Sequence, residues 1–357
     1  LLKEYEFYYN IEEPDPDDES VPVLLQNNSI VTPFEAVTGM YSLPGRHDID
    51  PTAILAPFYF LFFGLMLSDA AYGLILTTLC AIILKKYKPE GTTHRMIKMF
   101  MFCGLSTFMW GALFGGWFGN FFTVAAKTFF GKEFVIRPLW FDPLSEPMRL
   151  LVVSLILGAI HLFVGMGVQA YMDIKDGRPL DALFDIGLWY LLLIGIVLFA
   201  FGGKLGAGAV GIGKIMAIVG AVGILLTGGR KKKGIFGKLT GGLGSLYGIT
   251  SYLSDVLSYS RLLALGLATG VVAQVFNTLG SLAGGGIAGS ILLIVVFAFG
   301  TVFNIAINAL GAFVHSCRLQ YVEFFGKFYT GGGRPFAPFE RKTKYIKILK
   351  EGNDNVK

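Results

Sequence analysis

Charged residues are scarce in this chain of 357 residues. Asp, Glu, Lys and Arg make up 15% of it, against ~25% in an ordinary soluble domain, which argues against a fold wrapped in a solvated surface. Cysteine is rarer still. Cys80, Cys103 and Cys317 sit in apolar stretches without ligand spacing, so neither a disulfide framework nor a zinc site is expected. No initiator methionine and no signal-peptide pattern opens the chain; it is expected to begin inside a longer protein, after a missing N-terminal domain. Nucleotide motifs fail in detail. Gly206, Gly208 and Gly211 have GxGxxG spacing but follow no strand and open an apolar helix, so they are read as packing glycines. Residues 229–234 begin like a phosphate-binding loop, yet Ile235 stands where its lysine belongs. No catalytic site, cofactor, metal or nucleic-acid partner is expected.

What the chain has in abundance is apolar length. It is 54% hydrophobic, its mean hydropathy is +0.61, and its uninterrupted apolar runs reach the ~20 residues that cross a bilayer. These runs fall at 53–84, 97–124, 148–171, 182–201, 208–227, 243–279 and 287–329. The expected class is an all-α polytopic membrane protein. The first run is too long for one span, and a tight hairpin turning near Ser68 and Asp69 would bring the total to about eight membrane helices. The last two runs, ~55 and ~65 Å if continuous, exceed a ~30 Å hydrocarbon core and call for steep tilt or protrusion.

Charge is segregated along the chain. Residues 1–50 hold eleven acids against Lys3 and Arg46, a net of −9, and the remainder carries +14. The organisation expected is an acidic cytoplasmic linker over 1–50, a bundle of about six helices over 51–242, two long tilted helices over 243–330, and a basic cytoplasmic tail over 331–357. The basic loops at 85–98 and 230–238 and the tail fall on one face, which the positive-inside rule makes cytoplasmic. Basic clusters read as topology signals and lipid-headgroup contacts.

Two arginines break the apolar pattern: Arg261 in the penultimate run and Arg318 in the last. A guanidinium at the bilayer centre costs at least ~2.5–3.5 kcal/mol and does not shed its charge, so it marks an ion path by default. Each arginine lies in a polar stripe. Asn304, Asn308, Gly311, His315 and Arg318 recur at four, three, four and three residues, on one helical face. Ser251, Ser254, Asp255, Ser258 and Arg261 make a second stripe, with Gln274 and Asn277 extending it toward the far end. Gln320 and Glu323 join the candidates for a polar channel lining. Two structural readings stand beside these: the arginines could pair with an acid such as Asp255, and Glu323 with Lys327 is an ordinary i,i+4 pair. His161, on an apolar face without evident partners, reads as packed. Trp110, Trp117 and Trp140 fit an interfacial belt.

At these residues the chain resembles the membrane stator subunit of rotary V/A-type ATPases, called subunit a or subunit I. The motifs are DPTAILAPFYFLFFGLMLSDAAYGLIL at 50–76, SYSRLLALGLATG at 258–270 and HSCRLQYVEFFGKFYTGGGRPFAPF at 315–339. The resemblance implies eight helices, of which the last two lie against a rotating ring of proteolipid c-type subunits, each with an ion-binding carboxylate. Two offset aqueous half-channels would reach that interface, and Arg261 and Arg318 match the family's paired essential arginines. Asn308 is a departure, because eukaryotic members carry an acid there; a route through that position would be neutral here. Implied partners are the c ring, peripheral-stalk subunits through the missing N-terminal domain, the soluble ATPase head indirectly, and membrane lipids. The implied setting is a prokaryotic plasma membrane with cytoplasmic termini. The main rival is a self-contained secondary transporter, which predicts internal repeats and broken helices around a midplane site. No convincing repeat is present, although the break near Ser68 and Asp69 suits it. A non-transporting scaffold is the third reading.

Overall fold

The computed structural model describes residues 21–337, apart from 46–47, 132–133, 205, 231–234, 283 and 285. Among the described residues seven helices are long and apolar enough to cross a membrane, and Thr52–Leu67 is a shorter apolar helix. The chain is an all-helical multi-pass membrane protein.

A short helix, α1 (Glu35–Tyr41), precedes α2 (Thr52–Leu67) and α3 (Ala70–Tyr87). The first long apolar run does break between α2 and α3, where Ser68 takes a left-handed φ of +33°. Asp69 then caps α3 by accepting the N–H groups of Ala71 and Tyr72 at 3.0 and 3.2 Å. This answers the need of a helix start for acceptors on its unpaired N–H groups. The same carboxylate accepts the N–H of Phe118 at 3.1 Å and of Gly119 at 2.9 Å. One buried side chain thus knots the turn to the loop after α4 (Gly91–Phe114).

The two arms do not lie along each other. Both pack on α4, with Gly64 of α2 against Ser106 and Gly73 of α3 against Gly104 and Phe108. The run at 97–124 is also not one helix: α4 stops at Gly115 (φ +73°), and α5 (Phe121–Phe130) follows as a separate short helix.

Next come α6 (Pro147–Lys175), α7 (Pro179–Phe201) and α8 (Ala207–Thr227). The last two form a close pair, with Gly195 against Ala217 and Gly213 against Leu198 and Phe199. Gly206, Gly208 and Gly211 turn out not to be packing glycines, since a Cβ at any of them would meet nothing within 4 Å. Gly213, Gly220 and Gly223, further along the helix, allow the close approach instead.

The penultimate run is broken twice, into α9 (Ile235–Tyr247), α10 (Ile249–Ser258) and α11 (Ser260–Ser281). It is therefore not the single continuous rod its hydropathy suggests. The last helix, α12 (Ile287–Arg318), continues through a π-helical stretch at Leu319–Phe325 and a final turn at Gly326–Phe328. The core lies where α2, α4, α6, α11 and α12 meet, around Tyr59, Phe62, Phe63, Tyr259, Phe324 and Phe325.

Residues 21–50, expected to be part of a solvated linker, are docked on the helices. Glu35 is buried, paired with Arg95 at 3.1 Å and accepting a hydrogen bond from Asn27 at 3.0 Å. Strand β1 (Pro22–Val23) runs parallel to β2 (Arg334–Pro335), beyond the last helix. Tyr329 donates to the Ser42 carbonyl, and Asp48 accepts from Thr330 and from the N–H of Gly331. Residues 1–20 and 338–357, and with them part of the expected linker and most of the expected tail, lie outside the described residues.

Candidate functional site in the last two helices

The two arginines have different surroundings. Arg261, in the first turn of α11, places its guanidinium 3.3 Å from Glu323 on the π-helical stretch. The arginine side chain is 28% exposed and the glutamate only 2%. Arg318 is exposed and has no hydrogen bond or ion pair among the described residues. It sits in an otherwise apolar outer stripe with Ile307, Leu310, Val314 and Val322, all exposed.

A second pair crosses the same two segments: Lys327 reaches Asp255 of α10 at 2.5 Å and stands 4.3 Å over the Tyr252 ring. Asp255, six residues from Arg261 and off the i,i+4 spacing, pairs elsewhere. Glu323 does not bind Lys327, which corrects the i,i+4 pairing read from the sequence. Each acid turns instead to a base on the neighbouring segment.

Beside Glu323 lies a buried polar cluster that spacing alone did not reveal. His161 of α6, without evident partners in the sequence, bonds through Nδ1 to the Tyr259 hydroxyl at 2.8 Å. Its ring stacks on Phe324 and contacts Phe58 and Phe62. Tyr259 fits because Gly158 faces it; a Cβ there would lie 2.3 Å from the ring. Gln320 is fully buried beside the His161 ring, which it approaches without closing a well-formed hydrogen bond. The Glu323 Oε2 and His161 Nε2 are buried and unpartnered in the same way. Such atoms are uncommon in folded interiors, because each carries a desolvation cost of ~1–3 kcal/mol.

Toward the other end of α12 the amides are closed on one another. Asn304 donates to the Tyr72 hydroxyl at 3.0 Å and to the Thr269 carbonyl at 3.1 Å. Asn308 donates to the Asn304 carbonyl at 3.1 Å and to the Asn304 side-chain oxygen. The stripe along α12 therefore winds from buried Asn304 and Asn308, past half-buried Gly311 and His315, to exposed Arg318. A repeat of 3.5 residues drifts ~20° per heptad on a straight helix, which accounts for the winding. In the companion stripe Ser254 is exposed, and Ser258 and Asp255 are half-buried. The His315 Nδ1 is buried without a partner.

Two cavities lie along these helices on either side of Arg261, the first mostly apolar with a few polar side chains and the second mostly polar. One, of about 220 Å³, is lined by Asp69, Asn120, Asp142, Gly266, Gly270 and Gln274 among others. Asn277, one turn beyond Gln274, pins its wall by donating to the Phe118 carbonyl and the Asn120 side chain. The other, of about 440 Å³, is lined by Gln169, Asp173, Asp181, Asp185, Tyr252 and Lys327, with Arg178 and two apolar residues. Gly270 lies nine residues after Arg261 and Tyr252 nine before it, ~13 Å of helix each way. No group of acids, histidines and cysteines suited to a metal ion occurs among the described residues.

Fold and site together define a multi-pass helical membrane protein whose last two membrane segments carry cross-helix ion pairs and an exposed arginine that has no partner among the described residues. The sequence profile of the V-type ATPase 116 kDa subunit family matches residues 249–341, the segment that holds both arginines. The A-type ATP synthase subunit I of Methanocaldococcus jannaschii is 36% identical over 95% of this chain and 52% of its own length. That of Thermococcus kodakarensis is 37% identical over 97% and 52%. The V-type ATP synthase subunit I of Chlamydia trachomatis is 24% identical over 92% and 57%. The chain belongs to the subunit I family of A-type and V-type ATP synthases. It spans about half the length of the curated relatives it matches.

Proposed function

We propose that this chain is the ion-translocating membrane subunit of a rotary ATPase, and that Arg261 and Arg318 act on carboxylates of a proteolipid rotor ring. The observation that supports this most is the pair of cavities that flank Arg261 along the penultimate run, one on each side of it. They are the half-channels of this reading. The cavity holding Asp173, Asp181 and Asp185 opens on the end where the basic loops lie, the cytoplasmic side by the positive-inside rule. Both termini belong to that side, and the membrane is a prokaryotic plasma membrane.

The mechanism follows from charge in lipid. A rotor carboxylate facing hydrocarbon must be neutralised by H⁺ or Na⁺, because a bare anion there is too costly. Opposite a permanent cation the ionised form is favoured. The bound ion leaves through one cavity, the carboxylate passes the arginines, and it reloads from the other. Arginine suits the task because it keeps its charge when desolvated. Its fixed charge also bars cations from leaking directly between the cavities. The chain itself carries no catalytic role in ATP turnover, which belongs to the soluble head.

The test is ATP-driven ion uptake by the full complex in liposomes. Replacement of either arginine by alanine abolishes uptake, and Arg318→Ala leaves assembly intact; normal uptake in both variants defeats the reading. Ion flux through the purified subunit alone would establish a self-contained transporter instead.

A further inference from the structure

The geometry points to Glu323 as the resident counter-ion and positioning residue of Arg261, a role distinct from lining a channel; it rests on the rotary reading above. The Glu323 carboxylate is almost wholly buried, and Arg261 is its one ion partner among the described residues. Such an acid is tolerable only while the opposing charge stays in place. The nearest basic residue in sequence, Lys327, does not compete, because Asp255 holds it. On the π-helical stretch at Leu319–Phe325 Glu323 is buried, while Arg318, just before it, is exposed. Among the described residues one arginine thus has an internal acid and the other has none.

Only one guanidinium nitrogen of Arg261, at 3.3 Å, meets Glu323, and the side chain keeps 28% of its surface open. A guanidinium carries five N–H donors in a planar fork and can serve two carboxylates at once. Glu323 therefore holds the fork at a fixed angle while its free edge is offered to a visiting carboxylate. When that carboxylate leaves, Arg261 is still compensated and does not swing away. Arg318 has no such anchor. The two arginines are in this sense unequal: one is clamped, the other free to follow the rotor.

Glu323→Gln and Glu323→Asp in the full reconstituted complex test the assignment, read by co-purification of subunits and by ions moved per ATP hydrolysed. Glutamine keeps the size and an acceptor oxygen but loses the charge, so a merely structural role would survive it. The expected result is that Glu323→Gln assembles and lowers ions per ATP about tenfold or more, as befits a lost charge-assisted contact, while Glu323→Asp stays within about threefold of wild type. Unchanged coupling in Glu323→Gln, or equal loss in both variants, overturns the inference. If Glu323→Gln does not assemble, the double variant Arg261→Gln/Glu323→Gln decides, because removing both charges restores assembly for a coupled pair and fails to do so otherwise. Arg261→Ala and Arg318→Ala separate the two levels of the argument. Uptake lost in both beside normal Glu323→Gln leaves the rotary reading standing and sinks this one, whereas normal uptake in both sinks the rotary reading itself.

Discussion

The last helix carries two polar stretches on either side of its unpaired arginine, and they are built on opposite principles. Around Asn304 and Asn308 every donor described has an acceptor: Tyr72, the Thr269 carbonyl, or the neighbouring amide. Around Gln320 and Glu323 the interior is equally buried, yet three residues keep unpartnered polar atoms. A closed network in a membrane protein holds helices together, at roughly 0.6–1.7 kcal/mol per contact. An open one costs stability and leaves its atoms available for ions, water or a passing charge. The difference teaches that polarity along this helix is divided between holding and working, and that the division falls near Arg318.

The largest effect expected is at the working end. Arg318→Ala eliminates ATP-driven ion uptake while the subunits still co-purify, and Arg261→Ala eliminates it with weakened assembly, because buried Glu323 loses its cation. Next comes the second cross-helix pair. Lys327→Met leaves Asp255 without its cation and Asp255→Asn does the converse, so each lowers uptake several-fold. The double variant recovers part of that loss, because a pair removed together costs less than one partner stranded. Additive losses would show that the two side chains act separately.

At the holding end, Asn304→Leu unsatisfies Tyr72 and Asn308. It is expected to cost ~1–3 kcal/mol, seen as a lower thermal midpoint of the solubilised complex, with ions per ATP unchanged. A loss of coupling there equal to that of the arginine variants would erase the distinction between the two stretches. The smallest effect is at Tyr259→Phe, which removes the hydroxyl bonded to His161 and is expected to cost ~1 kcal/mol of stability.

Much of this was legible in the residues. Apolar length gave the membrane helices, Ser68 followed by Asp69 marked the break, and the two arginines stood out because lipid makes them expensive. Partnership was the part that did not show. Arg261 and Glu323 are sixty-two positions apart, so no spacing rule along one helix links them. No pattern of hydropathy announces a π-helical stretch at Leu319–Phe325 either. His161 looked solitary for a similar reason, since its partner Tyr259 comes from a break between two helices that the run of apolar residues masks. The docking of residues 21–50 escaped notice because an acidic composition suggests solvation, whereas Glu35 is matched by Arg95 brought from α4.

The pairing of residues 22–23 with 334–335 has a mechanical side. Parallel strands resist sliding along their length best, since all their bonds are then loaded in shear. Tyr329, Thr330 and Gly331 are tied by hydrogen bonds to Ser42 and Asp48. The segment after the last helix is thus fastened at several points to the segment before α2, so a shift of that helix end would have to stretch those bonds.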